Sequence, residues 1–375
     1  VTSLKRAGYR TGIIGKLHIN PASAFPFDFQ AVSESNFSRK KLSRYAEEAG
    51  RFFESGKEPF FLSINYPDAH RPFIKSKANL PAKPLTADQV KTLAYIGLES
   101  EGLRQQVADY YNCMARLDAL VGELLAKLKA SGKYDDTLIV YLGDHGADLI
   151  RGKRTCYEGG VRVPLIIRWP KGKADQARRE LVSTLDLFPT FLEVSGSAPV
   201  PDLPGRSLLS LLRGENPKWR QYMPTEYHLH SAHNYYPQRA IRNDRYKLIE
   251  NLQPGEEDPG YDFTVNRFFG QQVLAALPKA PKTIQDAYAL MKRPPKYQLY
   301  DLQMDPCEFV NLADDADHRQ ILDELSTELT RWRRATHDPL LNPVNVSRLK
   351  AEIDAIRQGN DFNKAKIGQW KYPEY

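Results

Sequence analysis

The chain has 375 residues, with 53 Lys and Arg against 46 Asp and Glu, a formal net charge of +7 at pH 7 and three cysteines. A hydrophobic share of 41% and a charged share of 26% are those of a globular protein and exclude a chain that is disordered throughout. No apolar run approaches the roughly 18 residues of a membrane-spanning helix, no nucleic-acid module is present, and the scattered basic residues describe a mildly basic surface. The length fits about two domains, or one large α/β domain with an appendage.

The chain opens at Val1 with neither an initiator Met nor a signal peptide, and reads as a piece of something longer. Residues 2–8 predict the end of a helix closed by Gly8, and residues 9–14 a short strand closed by Gly15-Lys16-Leu17-His18. The apolar run 60–65 predicts a strand buried in a parallel sheet, ending in the loop Tyr66-Pro67-Asp68-Ala69-His70-Arg71-Pro72. Over 103–130, Val107, Tyr110, Met114, Leu117, Val121, Leu124 and Leu128 recur every three or four positions, which predicts a long helix ended by Gly132. Residues 137–142 predict a buried strand running into Gly143-Asp144-His145-Gly146, residues 164–168 another, and 186–194 a helix capped at Gly196. The alternation implies an α/β fold, a mostly parallel sheet sandwiched by helices.

The texture changes after about Gly214. Segments 238–242 and 245–250 flank Asn243-Asp244 as a hairpin, 299–301 forms a third short strand, and Ile321, Leu322, Leu325, Leu329 and Trp332 line a closing helix. The expected organisation is a large domain over 1–215, a smaller antiparallel α+β subdomain over 216–342, and a charged, peripherally packed tail over 343–375.

In an open parallel sheet, ligands bind beyond the carboxyl ends of the strands. Three predicted strands end there in Lys16 and His18, in His70, and in Asp144 and His145, and the loop Arg151-Gly152-Lys153-Arg154 follows. Cations, imidazoles and a carboxylate together suit an oxyanion beside a metal ion. Singly they say less. A Lys-x-His after a strand is ordinary surface decoration, and a His between prolines can simply cap a loop. Asp-His-Gly says more, because flanking glycines let the backbone approach a ligand. None of the cysteines, Cys113, Cys156 or Cys307, lies in a CxxC pair.

Taken with their neighbours, these segments resemble the sulfatase family. Gly8-Tyr9-Arg10-Thr11-Gly12-Ile13-Ile14-Gly15-Lys16-Leu17-His18 is similar to its second signature. Phe60-Phe61-Leu62 with His70-Arg71-Pro72, Gly143-Asp144-His145-Gly146, the run from Lys153 to Pro164 and Asp186-Leu187-Phe188-Pro189-Thr190 are similar to later blocks, in order and spacing. Tyr235-Tyr236-Pro237-Gln238-Arg239 and Thr336-His337-Asp338-Pro339 resemble the N-sulfoglucosamine sulfohydrolase (sulfamidase) branch, while Asp305-Pro306 with Glu308 and Asn311-Leu312-Ala313, also similar to it, are common to many sulfatases. The resemblance runs from Val1 to about Pro339.

The resemblance implies an alkaline-phosphatase-like fold and a formylglycine nucleophile, made by a formylglycine-generating enzyme from Cys or Ser in a Cys/Ser-x-Pro-x-Arg motif. Lys16 would contact nucleophile and sulfate, His18 would orient the nucleophile, His70 would donate a hydrogen bond or a proton to the leaving group, and Lys153 would be the second sulfate cation. Asp144 would bind a divalent metal, usually calcium. His145 stands where the sulfamidase pattern has Asn and is kept as a ligand or its neighbour, which leaves manganese open beside calcium. No cysteine here is followed by x-Pro-x-Arg, so the nucleophile is expected upstream of Val1 and the chain as given is expected to lack turnover.

Around Glu226-Tyr227-His228-Leu229-His230, the residues His233, Tyr236 and Arg239 would hold a sulfated sugar by stacking and charge; Tyr235 and Tyr236 would equally serve as packing. The implied substrate is N-sulfoglucosamine of a heparan-type glycosaminoglycan, and the implied location periplasmic, extracellular or lysosomal. An O-sulfatase, a phosphodiester or phosphonate hydrolase of the same superfamily, and a non-catalytic binder of sulfated polysaccharide are the alternatives.

Overall fold

The computed structural model describes residues 1–19 and 21–358. Among the described residues the strands are β1 (Arg10–Gly15), β2 (Phe29–Ala31), β3 (Phe60–Asn65), β4 (Ile139–Leu142), β5 (Leu165–Arg168), β6 (Met223–Tyr227), β7 (Gln238–Arg242), β8 (Tyr246–Asn251) and β9 (Tyr297–Asp301). The chain divides into two compact units. The first comprises Val1–Val90, Gln105–Leu142 and Leu165–Trp219; the second comprises Lys91–Arg104, Gly143–Pro164 and the chain from Arg220 on. Among the described residues no helix is long and apolar enough to cross a membrane.

In the first unit, β2, β1 and β3 form a parallel sheet in that order, with Gly12 opposite both Phe29 and Leu62. As the central strand, β1 buries Ile13 and Ile14, which is why its sequence runs apolar without alternating. Helix Ser43–Glu54 lays Tyr45, Ala49, Phe52 and Phe53 against Ile14 and Val32, and Leu128 from helix Glu101–Ala130 closes the same cluster. Sequence patterning alone leaves 43–54 as a polar stretch. The apolar residues occupy one helical stripe, and the other face is charged. The expectation of a mostly parallel sheet holds for β1 to β3. The next two strands depart from it, since β4 and β5 pair antiparallel with Ile139 opposite Arg168; two short apolar runs carry no information about their relative direction.

In the second unit, β6, β7, β8 and β9 form an antiparallel sheet in sequence order. The hairpin between β7 and β8 closes without glycine because the Asn243 Oδ1 accepts from the N–H groups of Arg245 (2.9 Å) and Tyr246 (2.7 Å). Helix Arg319–Ala335 packs Leu322, Leu325 and Leu329 on Ile241, Leu248 and Leu299. Segment 143–164 was expected in the large domain, yet buried charge ties it to this sheet. Glu158 accepts from Lys247 (3.0 Å) and Arg242 (2.6 Å), and its own N–H donates to Glu308 (2.6 Å).

The expected tail starting at 343 begins instead as a helix, Pro343–Gln358, that packs Leu349 and Ile353 against Ala232, Tyr235 and Leu340. Its many charges masked two apolar residues four apart, enough for one buried stripe. Residues 359–375 of that tail lie outside the described residues.

Beneath this helix, Asp338 accepts from Arg239 at 2.9 and 2.8 Å and from Arg333 at 2.7 Å, and all three side chains are buried. Burial alone would raise the Asp338 carboxyl; the hydrogen bonds and charges of Arg239 and Arg333 hold it below its ordinary value. A carboxylate depressed on folding stabilises above its unfolded pKa, and that contribution is lost as the pH falls through the folded value. Asp338→Asn is therefore expected to cost about 3–5 kcal/mol in urea denaturation at pH 7, with the gap to the parent chain shrinking below about pH 4.

Candidate active site

The first unit brings two of the expected residues onto one ring. Gly15 ends β1 at φ +101°, and a Cβ there would stand 2.2 Å from the Asn65 carbonyl oxygen of β3. Asn65 Nδ2 in turn donates to the Lys16 carbonyl (3.0 Å), so the chain leaves the sheet along a fixed path. The Lys16 ammonium lies 5.7 Å from the centroid of the Phe37 ring, and Phe37 stacks on the His70 imidazole at 4.0 Å with 9° between planes. His70 Nδ1 is 2.6 Å from the Arg71 carbonyl oxygen. A carbonyl only accepts, so Nδ1 carries the proton. His18 is exposed two residues beyond Lys16.

The His70 loop rests on buried charge. Asp68 accepts from Arg116 Nε (2.7 Å) and Nη2 (2.8 Å) and from Arg39 Nε (3.1 Å), with none of the three side chains exposed. Arg39 also donates to the carbonyls of Phe37, Pro67 and His70. Neither Arg39 nor Arg116 carries a sequence signal for this role, because a buried arginine looks like a surface one until its partner is known.

In the second unit, the Asp144 side chain is 89% exposed, and His145 Nε2 stands 3.5 Å from its Oδ2. The His145 N–H donates to Asp144 Oδ1 (3.0 Å) and its Nδ1 to the Gly146 carbonyl (2.8 Å). A Cβ on Gly146 would meet the Gly159 carbonyl oxygen at 1.9 Å, so this loop touches the short helix Glu158–Val161 backbone to backbone. The fold of that loop carries the Lys153 N–H to the Ala147 carbonyl (2.8 Å) and buries the Lys153 side chain. Next to it, Arg154 pairs with Asp148 and lies 5.3 Å from the centroid of the Phe263 ring.

His230 completes this cluster. It keeps an exposed surface, yet desolvation first, then the cations Lys153 and Arg154, lower its imidazole to about 4, against a small opposing pull from Asp148. Asp148 and His230 were not singled out by sequence; the only signal was the histidine-rich stretch 226–230.

The expected sugar contacts need correction. Tyr236 is buried and donates to the Gln253 carbonyl (2.7 Å), and Arg239 is buried on Asp338. Both are internal, so the packing alternative describes Tyr236, and the Arg239 charge is already matched by a carboxylate. His233 is half-buried, its ring 4.3 Å from that of Phe263. Burial pushes the Cys156 thiol up to about 12 and raises Cys113 and Cys307 as well, which disfavours the thiolate in all three.

Asp144 and His145 supply one carboxylate and one imidazole, and among the described residues no three His, Cys, Asp or Glu side chains are grouped to hold a metal ion. Calcium takes six to eight oxygen ligands. Asp144 and His145 by themselves supply two donors of a metal's ligand set.

His230 gives this cluster a direct test. Its ring signals in NMR titration are expected to move with a midpoint near 4, and Lys153→Gln, which removes a neighbouring positive charge, is expected to raise that midpoint. An unchanged midpoint in Lys153→Gln would separate the two residues.

Comparison with known proteins adds an independent line. The family model described as "Sulfatase" matches residues 1–197, and that described as "N-sulphoglucosamine sulphohydrolase, C-terminal" matches residues 143–266. Human N-sulphoglucosamine sulphohydrolase is 30% identical over 90% of this chain and 73% of its own length. An ulvan-active sulfatase of Formosa agariphila is 26% identical over 95% of this chain and 70% of its own length. A solved structure described as a complex with its substrate D-glucosamine-2-N,6-O-disulfate superimposes with a TM-score of 0.62 at 20% identity, over 90% of this chain and 82% of that one. The fold is alkaline-phosphatase-like, a parallel sheet with helices plus a separate C-terminal antiparallel sheet. With Lys16, His18, His70, Asp144, His145 and Lys153 all inside the matched segment, the chain belongs to the sulfatase family.

Proposed function

We propose that this protein is a hydrolase that removes sulfate from a sulfated sugar, and that the bond it cleaves is the N–S bond of N-sulfoglucosamine in a heparan-type glycosaminoglycan. The observation that carries the reading is the pairing of Lys16 and His70 on the Phe37 ring. It joins a fixed cation, suited to a sulfate oxygen, with an imidazole whose Nε2 is the proton-exchanging nitrogen. The second family match and the human relative support the N-sulfate over an O-sulfate.

Hydrolysis of a sulfamate consumes one water and releases sulfate and a sugar amine. As the S–N bond breaks, its electron pair goes to nitrogen, which must take a proton because an amide anion is too basic to leave. His70, as the imidazolium with its Nδ1–H kept on the Arg71 carbonyl, donates that proton from Nε2 and becomes the neutral Nδ1–H ring, a contribution worth about 10²–10⁴-fold. Lys16 neutralises the sulfate as charge gathers on its oxygens. The same reading gives Lys153 the role of a second sulfate cation, His18 that of orienting the nucleophile, and Asp144 with His145 that of metal ligands. A formylglycine and its generating enzyme, a divalent metal such as calcium, and a periplasmic, extracellular or lysosomal location belong to the proposal through the family resemblance alone.

Sulfate release from N-sulfoglucosamine and from glucosamine 6-sulfate, measured on the complete gene product, tests this. A clear preference for the N-sulfate is expected, and His70→Ala should lower kcat by about 10²–10⁴-fold with KM little changed. Preference for the 6-sulfate would remove the sulfamidase assignment, and release from neither sugar would remove the sulfatase one.

A further inference from the structure

The segment between β2 and helix Ser43–Glu54 belongs to none of the motifs that resemble the family, yet it reaches the proposed acid. Val32, Asn36 and Arg39 adopt φ of +50°, +49° and +52°, a left-handed backbone that a β-branched residue such as Val32 rarely takes. Such a conformation persists only where the surroundings over-determine it, and here the anchor is Arg39. Its guanidinium is buried on Asp68, and from there it donates to the carbonyl of Phe37 and to the carbonyl of His70. One side chain thus joins the backbones of the two residues whose rings stack.

We propose that Phe37 and Arg39 are positioning residues for the reaction, Arg39 setting the backbone of the His70 loop and Phe37 fixing the face of the imidazole and the reach of Lys16. The stack occupies a face of the His70 ring and the Arg71 carbonyl its Nδ1 edge, so the direction of Nε2 is determined. The ring quadrupole of Phe37 attracts the Lys16 ammonium at 5.7 Å, which holds a flexible side chain near one position. Neither residue touches the reacting atoms. This inference rests on the roles proposed for Lys16 and His70.

Phe37→Leu, Phe37→Tyr and Arg39→Lys test it in the complete gene product. Loss of the aromatic face is expected to lower kcat by about tenfold to a hundredfold, the scale of a 1 Å misplacement, with KM little changed; Phe37→Tyr, which keeps the face, should restore most of it. Arg39→Lys keeps the charge but not the fork of donors and should also lower kcat. In 15N-labelled protein the His70 ring is expected in its Nδ1–H form, and Phe37→Leu should shift its ring-proton signals as the stacked ring is removed. Wild-type kcat in Phe37→Leu, or an equal loss in Phe37→Leu and Phe37→Tyr, would overturn the inference. If the parent protein releases no sulfate, the functional reading fails. The NMR arm still decides this one, because His70 signals that ignore Phe37→Leu would overturn it.

Discussion

Asp68, wholly buried between the guanidiniums of Arg39 and Arg116, is the contact on which the loop that carries His70 depends. A carboxylate taken out of water is costly unless its partners meet it with good geometry. Here Arg116 meets it from helix Glu101–Ala130 and Arg39 from the loop before helix Ser43–Glu54. Each arginine then spends its remaining donors on carbonyls of the loops that meet there, Arg39 on Pro67 and His70 and Arg116 on Ile74 at 2.9 Å. Three parts of the chain are fixed relative to one another by one carboxylate, and His70 sits on the loop they share.

The second unit uses the same device with other residues. Lys247, almost wholly buried, lies 3.0 Å from Glu158 and 3.1 Å from Glu308. Arg151, also buried, donates to the carbonyls of Cys307 (3.0 Å) and Glu308 (2.7 Å). Two carboxylates and two cations therefore hold segment 151–158, which carries Lys153, against β8 and the turn after β9. In both units an irregular stretch is made rigid by buried ionic contacts that water screens little.

Much of the regular structure was legible in the sequence because it follows from local patterning. The run 60–65 is β3, residues 238–242 are β7, and the periodicity over 103–130 lies within helix Glu101–Ala130. What could not be read depends on partners distant in sequence. The direction of β5 is set by pairing rather than by its own residues, and the helix after Pro343 needs a partner surface to bury Leu349 and Ile353. The motifs resembling the sulfamidase branch show the same limit. Tyr235-Tyr236-Pro237-Gln238-Arg239 and Thr336-His337-Asp338-Pro339 look like two separate recognition elements. In the structure they are one internal feature, joined by Arg239 and Asp338 at 2.8 and 2.9 Å. Their pairing gives both segments a structural role.

The two histidines that the structure singles out differ in kind, and the difference follows from their surroundings. His230 is held near 4 by desolvation and by Lys153 and Arg154, so at neutral pH it is an uncharged imidazole beside two cations. It therefore adds no repulsion to Lys153 and can accept or donate a hydrogen bond, but it holds no transferable extra proton. His70 faces Phe37 instead, whose ring attracts positive charge. The proposed reaction must both hold an anion and protonate a departing nitrogen. The shared Phe37 ring sets Lys16 beside His70 for that proposed pair of tasks, whereas the surroundings of His230 suit it to hydrogen bonding.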